Sequence, residues 1–451
     1  MIERLVYNYF ALPLGLAGYR LISLFDQKAR IGFAARKNLL AALKEKVSGL
    51  PAGNRVLVHI SSVGEYLQVR PVLRLLRKKR TETKIILSFY SPSLEPAIQK
   101  GVEAEFATYL PFDRPRNAAE FLETLKPPLI VFSCYDLWPN LIWRAKDKGI
   151  KTALVNANLA QNSGKLNPLV RWWFAKIYRE LDLILAASEE DARTIAALGV
   201  LERKIITAGN ARFDETIARI DAIPRDDDLI SALASWRQTD KAAADATIRL
   251  SPCLVIGSSW PEDEAMLIPA LEKIWSQGKN LKVIIAPHEI EPGHIKELKR
   301  QFEGLNAEPV LLSEMEAKAK SVSSQNKAVI ADSVGKLYKL YKICDFAFVG
   351  GSFRKEVHNV MEPAGFGVPV LFGPKIKNSL EALKLKERKG GFIVHSREEF
   401  YRRLISFMDD EKERLQAGER AYQLVLENQG AGERIVKLLL EKFPEVFNMN
   451  A

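Results

Sequence analysis

The stretch RVLVHISSVGEYLQVRPVLRLLRKK, residues 55–79, decides the fold class. Its apolar run Val56–Ile60 is short and unbroken, which predicts a strand buried on both faces. The residues from Ser61 to Gly64 predict a turn, and the apolar spacing from Tyr66 to Lys78 predicts an amphipathic helix. A buried strand followed directly by a helix is half of a βαβ unit, so this stretch indicates a parallel α/β sheet.

The same alternation of strands and helices extends along the chain. The other predicted strands are Lys84–Phe89, Leu129–Phe132, Thr152–Val155, Leu183–Ala186, Cys253–Gly257, Lys282–Ala286, Ala328–Ala331, Phe346–Gly350 and Pro369–Phe372. A polar stretch, Ile220–Arg249, interrupts the order and predicts a linker near 215–250. We therefore predict two doubly wound, Rossmann-like α/β domains, at 41–220 and 250–430, with an active site in the cleft between them. Closing helices then reach residue 451, and one of them can cross back to the first domain.

Composition narrows the class of partner. The 451 residues include 66 Lys and Arg against 55 Asp and Glu, a formal charge of +11, which favours nucleic acid, anionic lipid or phosphorylated substrates. The chain has no Arg-rich arm and no zinc-finger spacing, which argues against nucleic acid. Cys134, Cys253 and Cys344 lie far apart in apolar runs, which predicts buried free thiols and no metal site.

The N-terminal residues 1–40 form a segment of their own. Leu5–Phe25 is strongly apolar, but Pro13 and Arg20 interrupt it, and the leading charge and cleavage site of a signal peptide are not clear. Four basic residues follow it: Lys28, Arg30, Arg36 and Lys37. We predict a membrane anchor or an in-plane helix, spanning or not, whose basic residues face the cytoplasmic headgroups. A helix packed on the protein's own core is the alternative.

Two loops are candidates for chemistry. Glu65 follows the first strand, where a carboxylate of raised pKa could take a proton from a substrate hydroxyl. The spacing alone favours the alternative, a charge that complements the helix dipole behind a Ser62 cap. In the second loop, Gly350-Gly351-Ser352 precedes His358-Asn359-Val360-Met361-Glu362. Glycines allow a phosphate to approach the backbone, and Glu362 could accept hydrogen bonds from a ribose. Together these features predict a nucleotide-sugar site. The alternative is that Gly-Gly-Ser forms a plain turn.

Eight blocks, in one order along nearly the whole chain, carry a family resemblance. They are HISSVGEYLQVRPVLRLL (59–76), YLPFDRP (109–115), DLWPNLI (136–142), LVNANLAQNS (154–163), AGNARFDE (208–215), GSSWPEDE (257–264), DSVGKLYKLY (332–341) and FAFVGGSFRKEVHNVMEPAGFGVPVLFGP (346–374). The chain resembles the 3-deoxy-D-manno-octulosonic acid (Kdo) transferase family of Gram-negative bacteria. This resemblance implies the two-domain glycosyltransferase (GT-B) fold.

The resemblance also implies a reaction and a set of site residues. The reaction is inverting transfer of Kdo from CMP-Kdo to a lipid A precursor (lipid IVA) in lipopolysaccharide biosynthesis, at the cytoplasmic face of the inner membrane, with no divalent metal and no nucleic acid. By this analogy Glu65 is the general base, and Asp136 and Arg212 stabilise the transition state or the leaving group. The implied CMP-binding residues are Pro287, His288, Val334, Gly335, Lys336, Gly351, Ser352, Asn359, Val360, Met361 and Glu362.

The chain departs from the family pattern at several of these positions. The usual arginine after Pro287 is His288, Met-Gly-Glu is Val334-Gly335-Lys336, and a usual lysine is Arg212. Where most members have Met-Glu-Thr-Glu, this chain has Ser133, Cys134, Tyr135 and Asp136, so only Asp136 can supply a carboxylate. These departures concern how acceptor and leaving group are handled, and not the reaction class.

Several residues have simpler interpretations. His59 is expected to be a satisfied core histidine, Phe112-Asp113 to end a strand, and Trp138, Trp172 and Trp173 to be core or membrane-edge aromatics, whereas His358 is expected at the cleft. Two other functions stay open: a GT-B enzyme that uses a UDP- or ADP-sugar, and a non-catalytic membrane-peripheral scaffold. Competition by CMP rather than UDP would separate the first of these from a Kdo transferase.

Overall fold

Two seven-stranded parallel sheets organise the part of the chain that the computed structural model describes: residues 2–50, 55–160, 163–238, 250–317, 323, 325–377 and 379–447. Unit 1 comprises Met1–Glu215 and Asn428–Ala451, and unit 2 comprises Thr216–Glu427. Each unit contains one of the sheets, which confirms the predicted doubly wound α/β class.

The order of the strands locates the ligand-binding edge of each sheet. The strands are β1 (Arg55–Ile60), β2 (Lys84–Phe89), β3 (Phe106–Tyr109), β4 (Leu129–Ser133), β5 (Lys151–Ala157), β6 (Leu183–Ala186), β7 (Ile205–Thr207), β8 (Cys253–Ser259), β9 (Lys282–Pro287), β10 (Val310–Leu311), β11 (Ala328–Ile330), β12 (Phe346–Val349), β13 (Val370–Phe372) and β14 (Gly391–Ile393). Their spatial orders are β3-β2-β1-β4-β5-β6-β7 and β10-β11-β9-β8-β12-β13-β14. The winding reverses between β1 and β4 and between β8 and β12, and ligands bind at such switch points.

Helices cover both faces of each sheet. They are α1 (Ile2–Val6), α2 (Leu12–Ile22), α3 (Gln27–Ala34), α4 (Leu39–Ser48), α5 (Val63–Lys79), α6 (Glu95–Gln99), α7 (Pro115–Leu125), α8 (Pro139–Asp147), α9 (Pro168–Glu180), α10 (Glu189–Ala196), α11 (Arg212–Asp221), α12 (Asp228–Trp236), α13 (Pro261–Ser276), α14 (Pro292–Gly304), α15 (Leu312–Ala317), α16 (Leu337–Leu340), α17 (Met361–Gly365), α18 (Leu380–Glu387), α19 (Arg397–Asp409), α20 (Glu411–Glu427), α21 (Ala431–Lys442) and α22 (Pro444–Phe447). In β1, Val56, Val58 and Ile60 face the core that contains α5 and α21, and Leu57 faces the core on the opposite side of the sheet. This alternation is the period of two that a strand imposes.

The predicted linker at 215–250 is wrong in part. Leu229, Leu233 and Trp236 are 8%, 0% and 1% exposed on α12, which belongs to unit 2. Their spacing of four and three residues is that of one buried helix face, which the many Asp and Ala residues around it concealed. The rest of the predicted linker, 239–249, lies outside the described residues.

The N-terminal segment, residues 2–25, packs against unit 1. Arg4 pairs with Asp147 (3.1 Å) and Glu3 with Lys176 (2.9 Å), and the ring of Tyr7 stacks on Trp173. Its exposed apolar residues are Ile2, Leu5, Val6, Tyr9, Phe10, Leu14, Leu21, Ile22, Leu24 and Phe25. No helix among the described residues combines the length and apolar character needed to cross a membrane.

Arg36 corrects one part of the membrane prediction. It is 7% exposed, and its guanidinium donates to the carbonyls of Leu110 (2.8 Å) and Tyr90 (2.8 Å). The same group lies 4.3 Å from the centre of the Tyr90 ring. Arg36 is therefore held inside unit 1 and does not face headgroups, whereas Lys28, Arg30 and Lys37 are exposed.

Candidate active site

Glu65 lies at the switch point of unit 1, in the first turn of α5. Ser62 caps this helix, and the Ser61 N–H donates to Glu65 Oε2 at 2.8 Å. The side chain is nevertheless buried, with Glu65 only 5% exposed. Burial raises the pKa of Glu65 to about 7, against the lowering effect of the Ser61 N–H, and the charge of Asp136 raises it further. A carboxylate that only complemented a helix dipole would have a lowered pKa, so the raised pKa of Glu65 departs from that alternative, and its role as the base stays a prediction.

Asp136 lies after the neighbouring strand, β4. Its Oδ2 accepts a hydrogen bond from Ser61 Oγ and from the indole Nε1 of Trp138 (3.0 Å), and lies 3.3 Å from His59 Nε2. Burial raises the pKa of Asp136, but the hydrogen bonds from His59, Ser61 and Trp138 outweigh it and hold that pKa below its ordinary value. Asp136 is therefore an ionised carboxylate beside a carboxylate of raised pKa, an arrangement typical of acid–base sites.

Cys134 directly follows β4, two residues before Asp136, and its side chain is buried. Burial raises the pKa of its thiol to about 12, and Glu65 and Asp136 raise it as well, whereas Arg212 lowers it. Cys134 has a left-handed backbone (φ +63°), which is strained for a residue with a side chain and holds the turn into Asp136.

Sequence reasoning missed two residues of this site. Asn156 accepts from the Ala211 N–H (2.9 Å) and donates to the Gln68 carbonyl (3.2 Å), so it ties the start of α11, where Arg212 lies, to α5. Lys165 Nζ donates to the Tyr135 carbonyl at 2.6 Å. Burial lowers the pKa of Lys165, and Asp136 and Glu65 raise it. Asn156 lies within the family block at 154–163, which could have indicated it. Lys165 lies two residues after that block, and no sequence pattern marked it as a site residue.

In unit 2, a buried aspartate organises the loop at the switch point. Asp263, 0% exposed, accepts from the N–H groups of Gly351 (2.8 Å) and Trp260 (3.0 Å). A Cβ on Gly350 would lie 2.4 Å from the Ser258 carbonyl, and one on Gly351 would lie 2.3 Å from the Glu356 carbonyl. Close packing around Asp263 therefore accounts for both glycines, and the Gly351 N–H is already bonded.

Asp263→Ala is expected to lower the free energy of unfolding of unit 2 by about 2–3 kcal/mol, because the backbone N–H groups it accepts from would lose their acceptor while buried. Urea unfolding measures the change. The matched control is Glu262→Ala, whose side chain is 51% exposed and should change stability by less than about 0.5 kcal/mol. Equal stability of the two variants would contradict the organising role of Asp263.

An aromatic stack follows β8, β9 and β12. The ring of His288, directly after Pro287, stacks on His358 (4.2 Å) and on Trp260 (4.7 Å). Trp260 Nε1 donates to His358 Nε2 at 2.9 Å, so a neutral His358 has its proton on Nδ1. Burial lowers the pKa of His358 to about 4, as does the charge of His288. The structure thus joins His288 with His358 and adds Trp260, which sequence reasoning did not select.

Glu362 belongs to a second cluster of unit 2. Its Oε1 accepts from Arg219 Nη1 at 2.5 Å, and the Arg219 guanidinium lies 4.2 Å from the centre of the Tyr338 ring. Tyr338 lies in α16, directly after the exposed turn in which Val334 is 79% exposed and Gly335 has φ +84°. Glu362 and the loop before α16 are therefore linked through Arg219, another residue the sequence did not reveal.

Other residues predicted to bind CMP make hydrogen bonds or ion pairs within the protein. Ser352 Oγ accepts from the Gly373 N–H (2.6 Å), Asn359 Oδ1 accepts from the Met361 N–H (3.2 Å), and Lys336 pairs with Glu316. The side chains of Val360 and Met361 are buried at 1% exposure. Their role in CMP binding stays a prediction. Among the described residues, no three His, Cys, Asp or Glu side chains converge as metal ligands, and all three cysteines are buried and free.

Solved structures define the class of the fold. UDP-GlcNAc 2-epimerase from Neisseria meningitidis bound to UDP-GlcNAc is similar with a TM-score of 0.60 at 13% identity, covering 86% of this chain and 100% of the other. A glycosyltransferase from Rickettsia africae is similar with a TM-score of 0.57 at 13% identity, covering 89% and 100%. The chain thus has the two-domain GT-B type of fold.

Sequence comparison finds similarity to one family of transferases. The family described as 3-deoxy-D-manno-octulosonic-acid transferase (kdotransferase) matches residues 27–215. The chain is 26% identical over 399 residues to 3-deoxy-D-manno-octulosonic acid transferase from Haemophilus influenzae, covering 86% of this chain and 87% of the relative. It is 29% identical to that of Chlamydophila psittaci, covering 71% and 69%. Residues 27–215 thus match the Kdo transferase family, and most of the chain is similar to curated Kdo transferases.

Proposed function

We propose that this chain transfers Kdo from CMP-Kdo to a lipid A precursor, lipid IVA, with inversion at the anomeric carbon. The observation that carries the proposal is the Glu65 carboxylate, buried at a switch point with a pKa raised to about 7. A base of this pKa is half deprotonated near neutral pH and can accept a proton from a hydroxyl. The choice of Kdo as the sugar rests on the similarity of this chain to Kdo transferases.

The proposed reaction is a single displacement. An acceptor hydroxyl forms a bond to the anomeric carbon and passes its proton to Glu65, while the bond from that carbon to the phosphate oxygen breaks and CMP departs with the electron pair. The ionised Asp136 stabilises the positive charge that develops on the sugar. Arg212 stabilises the negative charge of the departing phosphate.

The donor would be bound by unit 2. There Glu362 is proposed to accept from the ribose hydroxyls, and the stack of Trp260, His288 and His358 offers aromatic faces and an Nδ1–H donor. The proposal includes no divalent metal, because a monophosphate donor carries a modest charge that side chains and helix N-termini can balance.

The test is incubation of the purified protein with CMP-Kdo, generated in situ, and a tetraacylated lipid A precursor, with products measured by mass spectrometry. Addition of one Kdo mass, or of two or more, is the expected result and also counts the transfers. A folded protein that binds CMP but gives no product would contradict the proposed acceptor or sugar. Protection by UDP in place of CMP would favour the UDP-sugar alternative.

The proposal extends to the cytoplasmic surface of the inner membrane. The exposed apolar face of the N-terminal segment is followed by exposed basic residues, and Leu169 (82% exposed) and Trp172 (47%) continue the apolar surface on α9. Trp172 contacts Trp173, which stacks on Tyr7 of the segment. Apolar side chains flanked by Lys and Arg are typical of an in-plane contact with anionic lipid.

The double variant Phe10→Ser, Leu14→Ser is expected to weaken binding to vesicles of phosphatidylethanolamine and phosphatidylglycerol by at least about ten-fold. The two side chains are 67% and 73% exposed, and burying each in lipid contributes about 1.5 kcal/mol or more. Co-sedimentation with vesicles measures the change. Leu415→Ser, which alters an apolar side chain of unit 2 that is 61% exposed, is the control. Equal vesicle binding by all three proteins would contradict the membrane surface.

A further inference from the structure

Tyr7 joins the N-terminal segment to the interior of unit 1. Its hydroxyl donates to Asp113 Oδ2 at 2.9 Å, and Asp113 is only 3% exposed. The ring of Tyr7 stacks on Trp173 (5.3 Å) and meets Trp143 edge-on (5.8 Å). The prediction that Asp113 ends a strand is wrong: β3 ends at Tyr109, and Asp113 lies in the loop before α7, where it accepts a hydrogen bond from a residue 106 positions earlier.

Asp113 also caps helix α8 from a distance. Its carboxylate accepts from the N–H groups of Asn140 (2.9 Å) and Leu141 (3.1 Å). Pro139, the first residue of α8, has no N–H, and Trp138 before it provides no side-chain cap. The first two N–H groups of α8 therefore depend on the Asp113 carboxylate, which also accepts the hydrogen bond from Tyr7.

The start of α8 adjoins the residues that hold Asp136. Trp138, the residue before α8, shares its indole N–H between Asp136 Oδ2 (3.0 Å) and His59 Nε2 (2.9 Å). A second path reaches the same indole, because Tyr90 stacks on Trp138 (4.8 Å) and Tyr19 of the N-terminal segment packs on Tyr90 (6.0 Å). Two contacts from one segment thus converge on the partner of one catalytic carboxylate.

We propose that the N-terminal segment positions Asp136 for catalysis, with Tyr7 acting as a positioning residue through Asp113 and the start of α8. The segment would then have a role separate from contact with lipid. This inference rests on the proposed function of Asp136, but the hydrogen bonds that carry it can be tested without activity.

The experiment compares Tyr7→Phe with Tyr9→Phe in the full-length protein. Both changes remove one hydroxyl from the same turn, but Tyr9 is 71% exposed and Tyr7 donates to a buried carboxylate. Phe at position 7 keeps the aromatic stacking. Four readouts are used: kcat and acceptor KM in detergent micelles, vesicle binding, the Trp138 indole N–H resonance in protein labelled with 15N-tryptophan and assigned with Trp138→Phe, and hydrogen exchange at the Asn140 and Leu141 amides in uniformly 15N-labelled protein.

The expected result for Tyr7→Phe is a kcat lowered about ten-fold, as for loss of one buried hydrogen bond, with acceptor KM and vesicle binding unchanged. The Trp138 indole resonance should shift, and amide exchange at Asn140 and Leu141 should accelerate. Tyr9→Phe should match the unmodified protein in all of these.

An unchanged indole resonance and unchanged amide exchange in Tyr7→Phe would overturn the proposal whatever the activity. Accelerated exchange with full kcat would also overturn it, because the cap would then not position Asp136. If the unmodified protein transfers no Kdo, the proposed function fails, and the resonance and exchange measurements still decide whether Tyr7 holds the start of α8 and Trp138.

Discussion

Glu65→Gln is expected to lower kcat by roughly 10³-fold while leaving the protein folded, because the variant loses its proton acceptor and keeps nearly the same shape. The amide oxygen of Gln can still accept from the Ser61 N–H that Glu65 accepts from now, so the start of α5 stays capped. Turnover of CMP-Kdo measures the effect. Glu105→Gln, an exposed carboxylate of the same unit, is the control and should keep full turnover.

The pH dependence of the unmodified protein follows from the same carboxylate. A pKa raised to about 7 leaves Glu65 protonated in acid, and only the ionised form can accept a proton. We expect kcat/KM to rise with pH and to reach half of its plateau near pH 7. A plateau that extends unchanged below pH 5 would exclude Glu65 as the base.

The pH dependence of the free energy of unfolding provides an independent test of the raised pKa of Glu65. Because its pKa in the folded protein, about 7, lies above the ordinary value of 4.5, the unfolded chain loses this proton first as the pH rises. The carboxylate therefore costs stability progressively between about pH 4.5 and 7, by up to roughly 3 kcal/mol above pH 7. Glu65→Gln should recover part of this at pH 8 and little at pH 4.5 in urea unfolding. Normal turnover, or lower stability at pH 8 than the unmodified protein, would contradict this assignment.

Asp136→Asn is expected to lower kcat by about 10²-fold with donor affinity preserved. The change keeps the shape of the side chain but removes the negative charge that, in the proposed reaction, faces the developing positive charge of the sugar. Initial rates over a range of CMP-Kdo concentrations separate the loss of kcat from any change of KM. The exposed Asp226→Asn serves as the control.

The same variant should shift the pH profile. The charge of Asp136 raises the pKa of Glu65, so removing that charge lowers the pKa and moves the acid limb of the remaining activity to lower pH. A limb that stays in place would show that the two carboxylates are not coupled. Full kcat in Asp136→Asn would mean that no carboxylate assists at this position.

The strands that were predicted from the sequence are more buried than those that were not. All ten strands predicted from apolar runs are present, but β3, β7, β10 and β14, the edges of the two sheets, were missed. These edges are two to four residues long and only partly buried. An edge strand is covered on fewer sides, so its sequence lacks the continuous apolar run of an interior strand.

The sequence predicted those candidate site residues that follow a recognisable strand. Glu65 and Asp136 follow β1 and β4, but the chain does not reveal that these strands are neighbours. His59 was expected to be a satisfied core histidine, and its Nδ1 does lie 2.9 Å from the buried Ser88 Oγ. Its other ring nitrogen, Nε2, lies 3.3 Å from Asp136 Oδ2. This contact exists because β4, which precedes Asp136, pairs with β1, on which His59 lies.

By itself, the sequence determined the parallel α/β class and the interior strands, and its resemblance to Kdo transferases selected Glu65 as a candidate base. Periodicity and local motifs encode these features, because each depends on residues close together in the chain. The tertiary structure alone decided that Glu65 is buried with a raised pKa, that Asp263 holds the glycine loop, and that Tyr7 reaches Asp113. Burial and hydrogen bonding between distant residues depend on which strands become neighbours, and no local pattern in the sequence specifies that order.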